Sequence, residues 1–189
     1  MKFARLCLTC LVLSLIPLAG HAGKAHVHGK GHLAVAIDGN TLTLMLEAPG
    51  ESLVGFEHAA RNARERTAIA RARQTLERPA GLFVPSAAAA CTARSSKLAS
   101  PLFDAGASTQ PDKSHQHAHG KGHEKGHEHV HADIKGEFVF HCARPEALRD
   151  LDVRLFASFP RLKQLQFELA GPRGQTALRL TPQQTRARW

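Results

Sequence analysis

The sequence predicts an α+β fold: one domain with a mainly antiparallel sheet of about six to eight strands, one long helix and a disordered His-rich loop. Three observations predict it. Residues 33–46 alternate apolar and polar across a turn, residues 55–77 switch to an Ala-, Arg- and Glu-rich run without proline, and residues 134–180 return to short alternating runs. Strand patterns grouped along the chain, with a single helical pattern among them, belong to the α+β class.

The first 22 of the 189 residues stand outside that domain. Lys2 and Arg5 open the chain, residues 6–18 are mostly apolar, and Gly20, His21 and Ala22 are a small-residue exit. This is the pattern of a secretory signal peptide cleaved near Ala22. Its apolar stretch is shorter than the ~18 residues of a spanning helix, and no later stretch is longer. The exported chain has no expected membrane span. Its domain runs over residues 23–182, followed by a polar tail at 183–189.

In chain order, Leu33, Val35 and Ile37 alternate up to Asp38-Gly39-Asn40, and Leu42, Leu44 and Leu46 resume the pattern. An Asp-Gly or Gly-Asn step between alternating runs marks a hairpin. Ala48-Pro49-Gly50 ends the second strand. Over residues 55–77 helix propensity is high until Pro79. Phe56, Ala59 or Ala60, Ala63, Thr67, Ala70 and Gln74 are expected near one face, with Ile69 and Leu76 beside it. That stripe is thin, which suits a helix lying across a sheet. Residues 82–84 and the region around Cys91 are short strand candidates. Residues 95–114, rich in Ser, Ala, Pro, Gly and Asp, read as a linker into the His-rich stretch. The flexible insertion is placed at about 99–130; lengthening such a loop costs only about 0.6 kcal/mol per doubling. Order resumes at Ile134, with Phe138, Phe140 and Cys142 on one parity and His141 on the other. Alternating segments at 151–155, 162–169 and 176–180 complete the sheet, the last two joined by turn chemistry at residues 171–174.

Cleavage of the leader removes Cys7 and Cys10 and leaves Cys91 and Cys142. An even pair in an exported chain reads as a disulfide. It closes a loop of about fifty residues, worth about 4 kcal/mol by chain entropy, with the His-rich stretch inside it. Loss of Lys2 and Arg5 takes the net charge from +9 to +7. Nucleic acid is not an expected partner: the arginines of 61–78 are scattered, there is no Tyr, and a single Trp offers little stacking surface. The charge serves solubility and general adhesion to anionic surfaces.

Residues 115–131 carry the chemistry. His115, His117, His119, His123, His127, His129 and His131 make up seven of these seventeen positions, with Glu124 and Glu128 between them. Such a segment buries too little apolar surface to fold alone, yet it is dense in imidazole, a ligand suited to zinc, copper and nickel. The stretch echoes the start of the exported chain. His28-Gly-Lys-Gly-His32 recurs as His119-Gly-Lys-Gly-His123, and Ala25-His26-Val27-His28 mirrors His129-Val130-His131-Ala132. His26 with His28, and His129 with His131 and Asp133, have the i,i+2 spacing that places side chains on one side of an extended chain. His119, His123 and His127 have helical spacing, but Gly120, Gly122 and Gly126 oppose a helix. The loop is expected to wrap a metal with several near-equivalent ligand sets. Zinc takes four ligands, commonly His with carboxylate oxygens. Copper(I) is disfavoured, with only Met45 left as a thioether. His58, after Phe56-Glu57, reads as either a structural histidine or a ligand, and His141 as a strand-surface residue.

The chain resembles the ZrgA-like periplasmic zinc-binding proteins. The resemblance rests on Ala25-His-Val-His-Gly29, the Asp38-Gly39 turn, Gly55-Phe-Glu-His58, Cys91, the His-rich insertion, His131-Ala-Asp133, Phe138-x-Phe140-x-Cys142, Leu155-Phe-x-x-Phe-Pro160, Gly174-Gln175 and Leu180-Thr-Pro182. It implies a periplasmic protein that captures or buffers zinc and assists its uptake, beside an ABC-type zinc importer or that importer's binding protein. By position it implies an ordered site from His26, His28, His58, His131 and Asp133, with the loop histidines as a variable reservoir. No catalytic residue or further cofactor is expected. A metallohydrolase using Glu57 or Asp133 as base beside zinc-bound water is the alternative, and it lacks a His-Glu-x-x-His motif. A partner-binding module whose loop is shaped by metal is the third reading.

Overall fold

The hairpin forms where the alternation places it. In the computed structural model, which describes residues 27–104 and 132–189, it consists of β1 (Lys30–Asp38) and β2 (Thr41–Pro49), paired from His32↔Glu47 to Asp38↔Thr41. There follow α1 (Gly50–Val54), α2 (Ala63–Leu76), α3 (Pro79–Leu82), β3 (Phe83–Pro85), β4 (Cys91–Ala99) and α4 (Pro101–Asp104). After the His-rich stretch come β5 (Asp133–Cys142), β6 (Asp150–Val153), α5 (Leu155–Ser158), β7 (Gln164–Gly171), β8 (Gly174–Leu180) and β9 (Arg186–Arg188).

The strands form a six-stranded sheet in the order β4-β5-β2-β1-β7-β8 and a three-stranded sheet β3-β6-β9. One pair, β1 with β7, is parallel and the other pairs are antiparallel. The inner face of the large sheet is the apolar parity of each strand. Leu33, Val35, Leu42, Leu44, Leu46, Ile134, Phe138, Phe140, Leu165 and Phe167 are all buried there. The second layer supplies Ala72 and Leu76 of α2, Phe83 of β3, Leu151 and Val153 of β6, and Ala187 of β9. Phe83 meets Phe138 with ring centroids 5.0 Å apart. Burial of this contiguous apolar set, at roughly 25 cal/mol per Å², drives the packing of the two layers.

Four local expectations change. The helix starts at Ala63, not near residue 55, because the Asn62 side chain accepts the Glu65 N–H at 2.9 Å and Glu65 Oε2 accepts the Arg61 N–H at 2.6 Å. These two bonds close the helix start as a capping box does. Replacing Asn62 with Ala should cost about 1 kcal/mol, measurable as a lower urea midpoint at unchanged m-value. The helix also buries a different face. Ala72 and Leu76 are inside with Ile69 beside them, whereas Ala63, Thr67, Ala70 and Gln74 face solvent. Residues 95–99, read as linker, complete an edge strand that pairs with β5 across a register shift at Ala93/Ser95. The tail at 183–189, set outside the domain by its polar composition, contributes β9 against β6, and the Trp189 ring stacks on Phe167 at 6.3 Å.

The disulfide joins Cys91 and Cys142, which face each other across β4 and β5, with an S–S length of 2.07 Å. The described chain leaves the sheet after β4 and re-enters at Asp133, at the far end of both strands, some 25 Å from the sulfurs at about 3.3 Å per residue. The bond therefore locks the two strands that carry the loop.

Candidate metal centre

One edge of the large sheet gathers the start of β1, the end of β2, the start of β5 and the start of β7, and α1 ties these ends together. The buried Ser52 hydroxyl accepts the Gly29 N–H at 2.9 Å, and the Gly29 carbonyl accepts Lys163 N–H at 2.7 Å and Gln164 N–H at 3.0 Å. Gly50 N–H donates to the Ala132 carbonyl at 2.9 Å. A Cβ on Gly50 would lie 2.6 Å from that oxygen and 2.8 Å from the Phe56 oxygen, so only glycine lets the three segments close in. Gly55, at φ +95°, then ends α1 in the left-handed region. It sends the chain into the irregular stretch carrying Glu57 and His58.

This convergence brings His28 to Glu57. His28 Nε2 stands 3.8 Å from Glu57 Oε1, the imidazole 65 % exposed and the carboxylate only 14 %. Two donors on a tetrahedral zinc ion, each at about 2.0–2.1 Å, lie roughly 3.3 Å apart. A side-chain rotation of a few tenths of an ångström gives the pair that separation. An imidazole nitrogen and a carboxylate oxygen are also the donor types zinc takes.

His58 is held differently. Its ring stacks on Phe56 with centroids 5.0 Å apart, and Nδ1 lies 3.0 Å from the Ala59 carbonyl. A carbonyl only accepts, so Nδ1 carries the proton and Nε2 keeps the lone pair a metal needs. Glu65 Oε2, 4.0 Å from Nδ1, is engaged in the helix cap. The Arg61 N–H holds its carboxylate below the usual range against a smaller effect of burial, and His58 adds to the lowering.

Asp133 pairs with Pro49 in the β2–β5 register, one residue before Gly50. Its charge reaches Lys135. The hydrogen bond and charge of Glu47, 3.1 Å away, hold the Lys135 ammonium above its ordinary pKa, and Asp133 contributes to the same rise. His32 lies on the outer face of β1, opposite Glu47, with Nε2 3.2 Å from Glu168 Oε2 on β7. His141 is exposed on the outer face of β5, opposite Thr41 and Thr92.

The expected ligands thus fall into three groups. His28, His58 and Asp133 ride on segments tied to α1, and His32 is partnered separately on the sheet face. His26, His115, His117, His119, His123, His127, His129 and His131 lie outside the described residues. Among the described residues no group of three or more His, Cys, Asp or Glu could hold a metal ion. Glu57 is the side chain that ligand spacing did not single out. It sits in an irregular segment with no ligand spacing, and the tie of Gly29 to Ser52 of α1, with the tight closure at Gly50, brings it to His28. Among the described residues no helix is long and apolar enough to cross a membrane.

A protein family described as ZrgA family zinc uptake protein matches residues 25–189, nearly the whole chain. No curated protein matches it.

Proposed function

Since the chain belongs to the ZrgA family of zinc uptake proteins, we propose that it is an exported, periplasmic protein that captures or buffers zinc and assists its uptake. The defined site is built at the α1 edge of the sheet. His28 and Glu57 supply two ligands, and His26 and His131 supply the others. His26 is bonded to Val27 and His131 to Ala132, so each backbone is one ~3.8 Å step from the described edge. His58 and Asp133 stand beside this set, as orienting partners or as replacement ligands. His115, His117, His119, His123, His127 and His129 are a reservoir that holds further zinc less tightly, and His32 is a candidate for the same auxiliary role. The observation that carries the reading is the 3.8 Å His28–Glu57 pair on an edge that begins and ends at histidine-bearing segments.

Capture then has a defined direction with pH. Bound imidazole must be neutral, so affinity falls as pH drops through about 6.5, the ordinary histidine value. A zinc titration at pH 7.5 and pH 5 should show much tighter binding at the higher pH, and equal affinity at the two would sink the reading. A charge-dependent release of this kind suits handover to an ABC-type zinc importer or its binding protein. Co-purification of that importer with the chain from zinc-starved cells is the expected result.

A further inference from the structure

The sheet end opposite the histidine edge encloses a cavity of about 360 Å³, within the size range of small-molecule sites. Its apolar wall is formed by Ile37, Leu169 and Pro172, and its polar rim by Arg149 and Arg173. The two guanidinium groups converge. Arg149 Nη1 donates to the Leu148 carbonyl at 2.9 Å and also to that of Glu146, and Arg173 Nη2 donates to the same Leu148 oxygen. Two cations therefore share one neutral acceptor. Some arginines of the fold have carboxylate partners, as in Arg73–Glu77, Arg154–Asp152, Arg161–Glu51 and Arg186–Asp150. Among the described residues Arg149 and Arg173 have none within 4.0 Å. Trp189 also lines the cavity. Its ring stacks on Phe167, and its backbone N–H is fixed to the Arg149 carbonyl at 3.1 Å.

Two guanidinium groups without a matching anionic acceptor, set against an apolar wall, define a complementary ligand. We propose that this cavity binds an organic carboxylate with a short apolar body. The carboxylate meets the forked N–H groups of Arg149 and Arg173, the geometry that guanidinium groups recognise bidentately. The chain of the ligand covers Ile37, Leu169 and Pro172. A small inorganic anion satisfies the donors but leaves that wall in water; a neutral apolar molecule leaves the two cations unpaired. The site is separate from the zinc edge and independent of how zinc is bound.

Trp189 is the chain's only tryptophan, so its fluorescence reports on the cavity directly. The whole exported protein is titrated with hexanoate, hexanol and inorganic phosphate, with calorimetry in parallel. Expected is a saturable response to hexanoate with a dissociation constant below about 1 mM, and at least tenfold weaker binding of hexanol and phosphate. Arg149→Gln and Arg173→Gln should each weaken hexanoate about tenfold or more, the order expected for losing a charge-assisted hydrogen bond. Both arginines are exposed, so thermal unfolding of the variants should match the parent; if one unfolds, Arg173→Lys keeps the charge, loses the fork and should still bind measurably less tightly. A free fatty acid and the carboxyl end of a peptide present the same group, and N-acetylleucine beside hexanoate separates these sources. No saturable response in either measurement, phosphate or hexanol binding as well as hexanoate, or full affinity in both glutamine variants would overturn the proposal.

Discussion

Replacing His28 with Ala and Glu57 with Gln together should weaken the tightest zinc-binding step by at least about 100-fold. Loss of a group that only orients a ligand already costs about 10–100-fold at metal sites, and on the proposed reading this double change removes two donors from four. The fold should survive it. The His28 side chain is largely exposed, and Gln keeps the shape of Glu57. The ties that build the edge run through backbone groups and Ser52. Far-ultraviolet circular dichroism and thermal unfolding of the metal-free variant should therefore match the parent, while calorimetric titration loses its first, tight phase. Later, weaker phases persist, because the imidazoles of residues 115–129 are untouched. A tight phase unchanged in the variant would place the defined site elsewhere.

The second large effect concerns the disulfide. Its span of 51 residues makes it worth about 4 kcal/mol in the chain-entropy model, a large part of a typical domain stability of 5–15 kcal/mol. Cys91→Ser with Cys142→Ser should lower the melting temperature by on the order of 10 °C. Because the sulfurs lie at the end of β4 and β5 away from the metal edge, zinc affinity of the folded variant should change little. The β4–β5 pairing would loosen first, since β4 is an edge strand held on one side only. Hydrogen exchange should show faster exchange in β4 than in β1 or β2. A melting temperature shifted by less than a few degrees would mean that the sheet itself holds the two strands in register.

What was legible in the sequence follows from burial. The β1–β2 hairpin reads clearly because Leu33, Val35, Leu42, Leu44 and Leu46 all face one core, so an unbroken alternation records a one-sided strand pair. The same holds for β5 and β7. Edge strand β4 was obscured because its core contribution is little more than Ser96 and Leu98, and the rest of it is polar and solvated. The phase of α2 was obscured because its stripe is mostly alanine, which marks inside and outside alike. Ala72 and Leu76 decide it only once the sheet is in place. In β9 a single buried residue, Ala187, sits between two arginines, which leaves no pattern to read. The parallel pairing of β1 with β7 spans more than a hundred residues and has no local signal. At the site, histidine density was written in the sequence and the meeting of His28 with Glu57 was not, because it depends on Ser52, Gly50 and the registers that bring them together.

On the proposed reading the α1 edge, with His26 and His131, holds one zinc ion and the His-rich loop only adds to it. This is tested most directly by a chain lacking residues 115–129, purified without a His tag or metal column and titrated with zinc at pH 7.5. The expected result is one tightly bound zinc per chain, at an affinity close to the parent's, with the weaker equivalents gone and the fold intact. A shortened chain that folds and holds no zinc would contradict the claim and put the site in the loop.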